Sequence, residues 1–404
     1  MGRAIITGAG AVSPIGNNFE EVMEGIRSGK RGIGRVRGFD TEFFPCTVGA
    51  EVKEKGENGS SVPLRTGPHI DRKEVFIERA MTELFETCDS IRRYAPADRY
   101  LNLGVSLDYF DLTGFAGSAD AGNWQNRSHS TLQTVETLTR VYDIHGGFTV
   151  NVTACVSSTQ AIGLSYRMLK GFPRGKMIVT GGFDSVINHL HYMGFYKLGA
   201  FSDWPGEPGE ACRPFDKNRR GLVLGEGAGV FLLRDAADVL PGEGLAEIVG
   251  YGSTMDAYMV TDPHPDGIYL AKAALDAIED AGISPDDVDC VHLHGTGTHK
   301  NALAETNAMR RIFPERWKVV PVFGMKGQIG HLIGACGAVE MTGVLYSLLE
   351  QQVPPTVNFD IPDPDVPLRV VRGKPLDMDI RYVLKVNSAF GGQNAALVVK
   401  RYER

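Results

Sequence analysis

Four short stretches carry residues able to do chemistry. In NVTACVSSTQAIG (151–163), Cys155 stands among small and hydroxylated residues. Ile162, Tyr166 and Leu169 then recur at helical spacing until Gly171 and Pro173. The thiol therefore falls where a turn feeds a helix N-terminus. Unpaired backbone N–H groups and the helix dipole favour thiolate there, and can hold an oxyanion on a bound carbonyl. The alternative is a small buried hydrophobe, the reading preferred for Cys46, Cys88, Cys290 and Cys336. In HLHGTGT (292–298), His292 and His294 alternate along a strand and share one face. A metal pair would need a third ligand that is not evident. Gly295 and Gly297 leave bare backbone at a strand end, where α/β sites form, and Thr296 and Thr298 offer hydroxyls.

In GMKGQIGH, Lys326 follows the apolar run VVPVF, so it should be partly buried and need an anion. Glu305, in the helix after HGTGT, is the candidate. His331 opens the next helix and so mirrors Cys155. The fourth stretch, NSAFGGQN (387–394), is a glycine loop at a strand end, with Phe390 free to swing or plug, or to pack in the core.

Positioning these residues requires buried strands alternating with helices. AIIT, KMIVTGG and GVFLLR read as strands in the first part of the chain. AEIVGYG, DCVHLHG, VVPVFG and YVLKVNSAF form a second series, with YLAKAALDAIEDAG as a helix among them. This alternation predicts an α/β fold with largely parallel, buried sheets. TACVSSTQAIGLSYRMLKG and GHLIGACGAVEMTGVLYSLLEQ resemble each other, each a small-residue start followed by a buried helix. The chain thus divides into halves, 1–240 with the cysteine and 241–404 with the two histidines and the lysine. If they pack face to face, two helix N-termini converge on one site.

The 404 residues, 43% apolar, suffice for more than one ordinary domain. No run of about 20 apolar residues suggests a membrane span. Six scattered cysteines without a CxxC pair point to neither zinc nor disulfides, and to a reducing cytoplasm. A net charge of −7 argues against nucleic acid as a partner. Gly8-Ala9-Gly10-Ala11-Val12-Ser13 nearly fits a dinucleotide fingerprint, but Ser13 replaces the third glycine and Pro14 follows. A nucleotide-dependent oxidoreductase rests on that stretch alone.

RAIITGAGAVSPIGN, TACVSS, RPFDKNRRGLVLGEGAG, DAYMVTDP, HGTGT, KGQIGH and FGGQN follow one another through nearly the whole chain. In this the sequence resembles the elongating β-ketoacyl-acyl carrier protein synthases of the thiolase superfamily. The resemblance implies a thiolase-like five-layered αβαβα fold of two duplicated halves, and a homodimer, with a heterodimer as the alternative. It implies an acyltransferase that takes an acyl group from a carrier protein onto Cys155 and condenses it with decarboxylated malonyl carrier protein. Carried over, Cys155 is the nucleophile. His294 and His331 donate to the malonyl thioester oxygen, and Lys326 and Glu305 organise the site. The N–H groups of Cys155 and Phe390 form the oxyanion hole. Thr261, Thr296 and Thr298 line the pantetheine arm, Phe390 gates the acyl pocket, and Leu107 lines its floor. No metal or redox cofactor is implied, since phosphopantetheine arrives on the carrier.

Several positions depart from the family pattern. Ala302 stands where an aspartate is usual, which predicts a thinner charge network near Lys326. Ala389 replaces a gate-loop glycine, which predicts a stiffer gate. Pro68-His69-Ile70-Asp71-Arg72 replaces a basic segment, which shifts carrier docking toward Arg65 and Arg213. Asp108, Tyr109 and Phe110 follow Leu107 where glycine is usual, so aromatic side chains could favour unsaturated acyl chains. A specialised polyketide or polyene pathway is therefore open beside fatty-acid synthesis. A CoA-dependent thiolase would need a second cysteine in the C-terminal glycine loop, which NSAFGGQN lacks. A non-catalytic chain-length partner would normally lack the nucleophile.

Overall fold

The computed structural model describes residues 2–44, 46–55, 61–64, 71–110 and 128–403. Ten strands carry the architecture: β1 (Ala4–Val12), β2 (Arg99–Gly104), β3 (Gly147–Asn151), β4 (Met177–Ser185), β5 (Glu226–Asp235), β6 (Ala246–Met255), β7 (Cys290–His292), β8 (Pro321–Phe323), β9 (Tyr382–Ser388) and β10 (Gln393–Arg401). Six helices cover them: α1 (Arg72–Thr87), α2 (Thr131–Val141), α3 (Ser157–Gly171), α4 (Ile268–Asp280), α5 (His299–Ile312) and α6 (Cys336–Glu350).

The strands run β8-β7-β9-β10-β6-β1-β5-β4-β2-β3, with short strand Arg369–Val370 beyond β8. The two sets of five repeat one pattern. β1-β5-β4 and β6-β10-β9 are antiparallel, while β4-β2-β3 and β9-β7-β8 are parallel. β1 and β6 join them, antiparallel, at the centre. Helices fall at matching places: α1 and α4 after the first strand of each set, α2 and α5 after the second, α3 and α6 after the third. Duplication is thus written in the topology.

Burial assigns the layers. Val156, Ile162 and Tyr166 of the α3 region and Ala338, Val339 and Val344 of α6 share one core with β1 and β6. On one outer face, Phe76, Ile77, Ala80 and Leu84 of α1 pack on Val230 and Leu232 of β5. On the other, Ala274, Ala277 and Ile278 of α4 pack with Leu384 and Val398. The result is the αβαβα sandwich.

The N-terminal glycine pattern has a packing role. β1 runs straight through Gly8–Val12 as a buried strand. A Cβ on Gly10 would lie 2.1 Å from the Ala80 carbonyl oxygen of α1, and one on Gly250 2.0 Å from that of Ala277 in α4. These glycines let the outer helices sit against the strands, once in each half. No helix among the described residues is long and apolar enough to cross a membrane.

Candidate active site

Cys155 sits in a 3₁₀ turn, Ala154–Val156, that runs directly into α3. Ala154 is held at φ 50°, in the left-handed region that non-glycine residues seldom adopt. The turn is locked by its own side chains: the Thr153 N–H donates to Ser157 Oγ at 2.8 Å, and that hydroxyl donates to the Ala154 carbonyl at 2.7 Å. The thiol is 4% exposed. It reaches a cavity of about 340 Å³ whose wall includes His294, His331, Thr261, Thr296, Thr298 and Phe390. Burial pushes the Cys155 thiol up to about 12, opposed by the charge of Lys326 and the backbone N–H of Phe390. The α3 N-terminus adds to that opposition.

His294 and His331, on the cavity wall, each have Nδ1 occupied by donors. For His294 these are Asn387 Nδ2 at 3.0 Å and Lys326 Nζ at 3.2 Å. For His331 the donor is the Ile333 N–H at 3.0 Å. An accepting Nδ1 fixes the neutral tautomer that carries its proton on Nε2. Burial, reinforced by Lys326, pushes both rings down, His331 to about 3. The rings cross edge to face, 5.2 Å between centroids. Two neutral N–H donors thus stand together in the cavity that holds the thiol.

Lys326, fully buried, donates to the His294 carbonyl at 2.6 Å and forms an ion pair with Glu340. Burial opposes its charge, but Cys336 and Glu340 outweigh that and raise its pKa. Lys385 lies 3.3 Å from the other Glu340 oxygen, and Asn387 Nδ2 donates to that oxygen at 2.7 Å. Burial likewise opposes the Glu340 charge, yet Lys326 and Lys385 hold its carboxyl well below the usual range. This corrects the expected pairing of Lys326 with Glu305. Glu305 instead accepts the His294 N–H at 2.6 Å, the Gly295 N–H at 3.1 Å and Asn301 Nδ2 at 2.6 Å, clamping the turn after β7. Burial still pushes it up to about 7. Replacing Glu340 with alanine would strand two buried cations, so we expect a loss of about 3–5 kcal/mol in denaturant unfolding. A loss below about 1 kcal/mol would contradict this network.

The comparisons with known proteins agree with this site. The model for "Beta-ketoacyl synthase, N-terminal domain" matches residues 112–238, and that for "Beta-ketoacyl synthase, C-terminal domain" matches residues 245–360. A 3-oxoacyl-[acyl-carrier-protein] synthase 2 of Staphylococcus aureus (strain COL) is 32% identical, covering 99% of each chain. The protein of that name from Synechocystis is 30% identical, over 99% of this chain and 98% of its own. The chain belongs to the β-ketoacyl synthase family. Among solved structures, a β-ketoacyl synthase from Burkholderia phymatum superposes with TM-score 0.85 at 26% identity, each chain fully covered. The ishigamide ketosynthase/chain length factor gives 0.84 at 27%, also with full coverage. A type II ketosynthase described in complex with its acyl-carrier protein shares the fold, TM-score 0.85 at 23% identity.

Within this β-ketoacyl synthase fold, several expectations change. The network beside Lys326 is not thin. Ala302 is buried in the α4–α5 core, and the charges come from Glu340 and Lys385 instead. Ala389 is extended, φ −138°, which any residue adopts; the left-handed corner is Gly391–Gly392, at φ 81° and 76°. The alanine therefore imposes no strain on the loop. Phe390 stacks on Phe195, 6.3 Å between ring centroids. Arg213 is not a docking residue: it is buried over Trp204 and paired with Asp216 and Asp360. Arg65 and Pro68–Ile70 lie outside the described residues, as do the side chains of Tyr109 and Phe110. Leu107 is 46% exposed and is not on the wall of the Cys155 cavity; Lys73 holds its carbonyl. His292 packs edge-on against Phe323, away from the cavity wall.

The positional mirror of Cys155 is Gly334, not His331. Ile333 at φ 48° repeats Ala154 at φ 50°, and each opens a 3₁₀ turn leading into a central helix. Cys336, assigned to the core, begins α6, and its sulfur lies 3.3 Å from His331 Nδ1. Sequence reasoning missed Glu340, Lys385 and Asn387. A lone glutamate in GAVEMTGVLYSLL, a helix buried on every side, was the available signal, because such a carboxylate requires a cation.

Proposed function

We propose that this chain is a 3-oxoacyl-[acyl-carrier-protein] synthase that joins an acyl group held on Cys155 to malonyl carrier protein with loss of CO₂. The observation that carries the reading is the pair of tautomer-fixed Nε2–H donors sharing one cavity with a helix-start thiol. In the first half-reaction, Cys155 sulfur attacks the acyl thioester of the carrier's pantetheine. The oxyanion is held by the N–H groups of Cys155 and Phe390, and the departing pantetheine thiolate takes up the proton that Cys155 gave up. In the second, the malonyl C–CO₂ bond breaks and its electron pair moves toward the thioester oxygen, which accepts from His294 and His331. The resulting carbanion attacks the Cys155 thioester carbonyl. Collapse expels the Cys155 thiolate and releases a 3-oxoacyl chain two carbons longer on the carrier.

Thr261, Thr296 and Thr298 line the cavity where the pantetheine arm would pass; Thr296 and Thr298 hydroxyls are 2.9 Å apart. The protein supplies no cofactor of its own in this scheme. Halves 1–240 and 241–404 divide between β5 and β6. We place the enzyme in the cytoplasm and as a homodimer: β3 ends the sheet, with Phe148 and Val152 exposed beside an edge that no described strand covers. The same condensation serves fatty-acid synthesis and specialised polyketide or polyene synthesis.

Because His294 and His331 stay neutral, CO₂ release at saturating malonyl carrier protein should show no inflection from them near pH 6.5, the ordinary histidine value. A rate that rises or falls tenfold per pH unit through 6.5, and does so equally in Glu305→Gln, which removes the carboxyl that burial raises to about 7, would contradict the neutral-donor assignment. The reading as a whole is tested by mass spectrometry of products from a panel of acyl carriers with malonyl carrier. A 3-oxoacyl product supports it. CO₂ release without carbon–carbon bond formation from any acyl donor would favour a chain-length partner instead.

A further inference from the structure

We infer that Asp184, at the end of β4, is a positioning residue for His331, acting through the strained turn Ile333–Gly334; this rests on the condensing role proposed for the site. Asp184 is fully buried, and among the described residues no cation forms an ion pair with it, although the charge of Lys73 favours its carboxylate. One oxygen, Oδ2, accepts the Gly334 N–H at 2.8 Å and the hydroxyl of Ser106; the other accepts the Ser185 N–H at 3.0 Å. The preceding N–H, that of Ile333, is the one that donates to His331 Nδ1. Two consecutive backbone donors thus serve different acceptors, one the catalytic imidazole and one Asp184. Between them Ile333, a β-branched residue, is held at φ 48°. That conformation is costly for such a side chain and persists only where the surroundings impose it. Asp184 is the anchor that imposes it.

The repeat in the fold places the carboxylate. The bulge of β1 between Ile6 and Gly8 lies opposite Leu232 and Leu233 of β5, and that of β6 between Ile248 and Gly250 lies opposite Val398 and Val399 of β10. Val179 pairs with Leu232 and Leu384 pairs with Val398, so Asp184 occupies in the first half the place of Ala389 in the second. Ala389 lines the Cys155 cavity, and Asp184 likewise stands beside Gly334, the mirror of Cys155.

Asp184 also separates the two half-reactions. Its negative charge works against ionisation of the Cys155 thiol. Removing it should leave acyl transfer to Cys155 no slower than in the parent enzyme, while CO₂ release from malonyl carrier protein falls. A general loss of structure would slow both.

The test is a double-mutant cycle read in both half-reactions. Asp184→Ala should lower CO₂ release on the order of tenfold, the lower range for losing a partner that orients a catalytic group. In a His331→Ala background the same change should cost less than about twofold, because its target is gone; in a His294→Ala background it should keep its full effect. If the alanine variant does not fold, Asp184→Asn carries the cycle: it keeps the shape and an acceptor, and should show a smaller loss with the same dependence on His331. Equal losses in the His331→Ala and parent backgrounds, or acyl transfer falling as far as CO₂ release, would overturn the inference. Near-normal CO₂ release from His331→Ala alone would overturn the parent reading instead.

Discussion

Cys155→Ala should abolish acyl-enzyme formation and slow condensation by about 10⁴- to 10⁶-fold, the range found when a covalent nucleophile is removed. The thiol is set by a locked turn at the start of α3, opens into the cavity, and receives the Phe390 N–H. Cys336 is the one residue whose position could compromise this prediction, since it also starts a central helix and touches His331. It is fully buried and absent from the cavity wall, and burial raises its thiol pKa. An acyl carrier in the cavity therefore meets Cys155 and not Cys336. Decarboxylation of malonyl carrier protein should continue in the alanine variant, because the two imidazoles and the Lys326–Glu340 pair are untouched. Intact-mass spectrometry with an acyl donor decides the matter; an acyl adduct on the variant would contradict it.

His294→Ala and His331→Ala should each cut CO₂ release by about 10²- to 10³-fold, the effect of deleting one donor to a developing oxyanion. Both should still accept an acyl group. The division of labour follows from what fixes each group. The α3 start and the Phe390 N–H act on sulfur, while the imidazoles face a different oxygen with protons directed by Asn387, Lys326 and the Ile333 N–H. Of the two, His294→Ala should also weaken the fold, because its Nδ1 satisfies buried Asn387 and Lys326. Labelled CO₂ release is the readout. Near-normal release from both single variants would mean that the imidazoles do not carry the decarboxylation.

Much of the fold was legible because buried strands and glycine turns are local signals. AIIT, GVFLLR and AEIVGYG fall within β1, β5 and β6, and KMIVTGG, apart from Lys176, within β4. The regular apolar spacing of YLAKAALDAIEDAG marks a helix, and α4 covers it from Tyr269 to Asp280. The duplication showed in TACVSSTQ and LIGACGAV because both halves must start a central helix in the same cramped way. Partnerships between elements distant in sequence were not legible. Lys326 was paired with Glu305 because sequence proximity to the HGTGT motif suggested it, whereas Glu340 reaches it across the turn from a helix that looks wholly apolar. Arg213 read as a docking residue because a charge in a motif suggests a surface; only the fold shows Asp216, Asp360 and Trp204 around it. The mirror of Cys155 was misplaced for a similar reason. His331 shares its chemistry-bearing character, but left-handed backbone at Ala154 and Ile333 sets the true register, and that leaves no mark in residue type.

The account stands most directly on a pulse and chase. The protein is loaded from an acyl carrier, freed of excess donor, digested and mapped, with a parallel sample chased by malonyl carrier protein before digestion. The account predicts one acyl adduct on the peptide that contains Cys155, its disappearance on the chase, and a 3-oxoacyl chain two carbons longer on the carrier. An adduct on another cysteine, or one on Cys155 that malonyl carrier protein does not discharge, would contradict it.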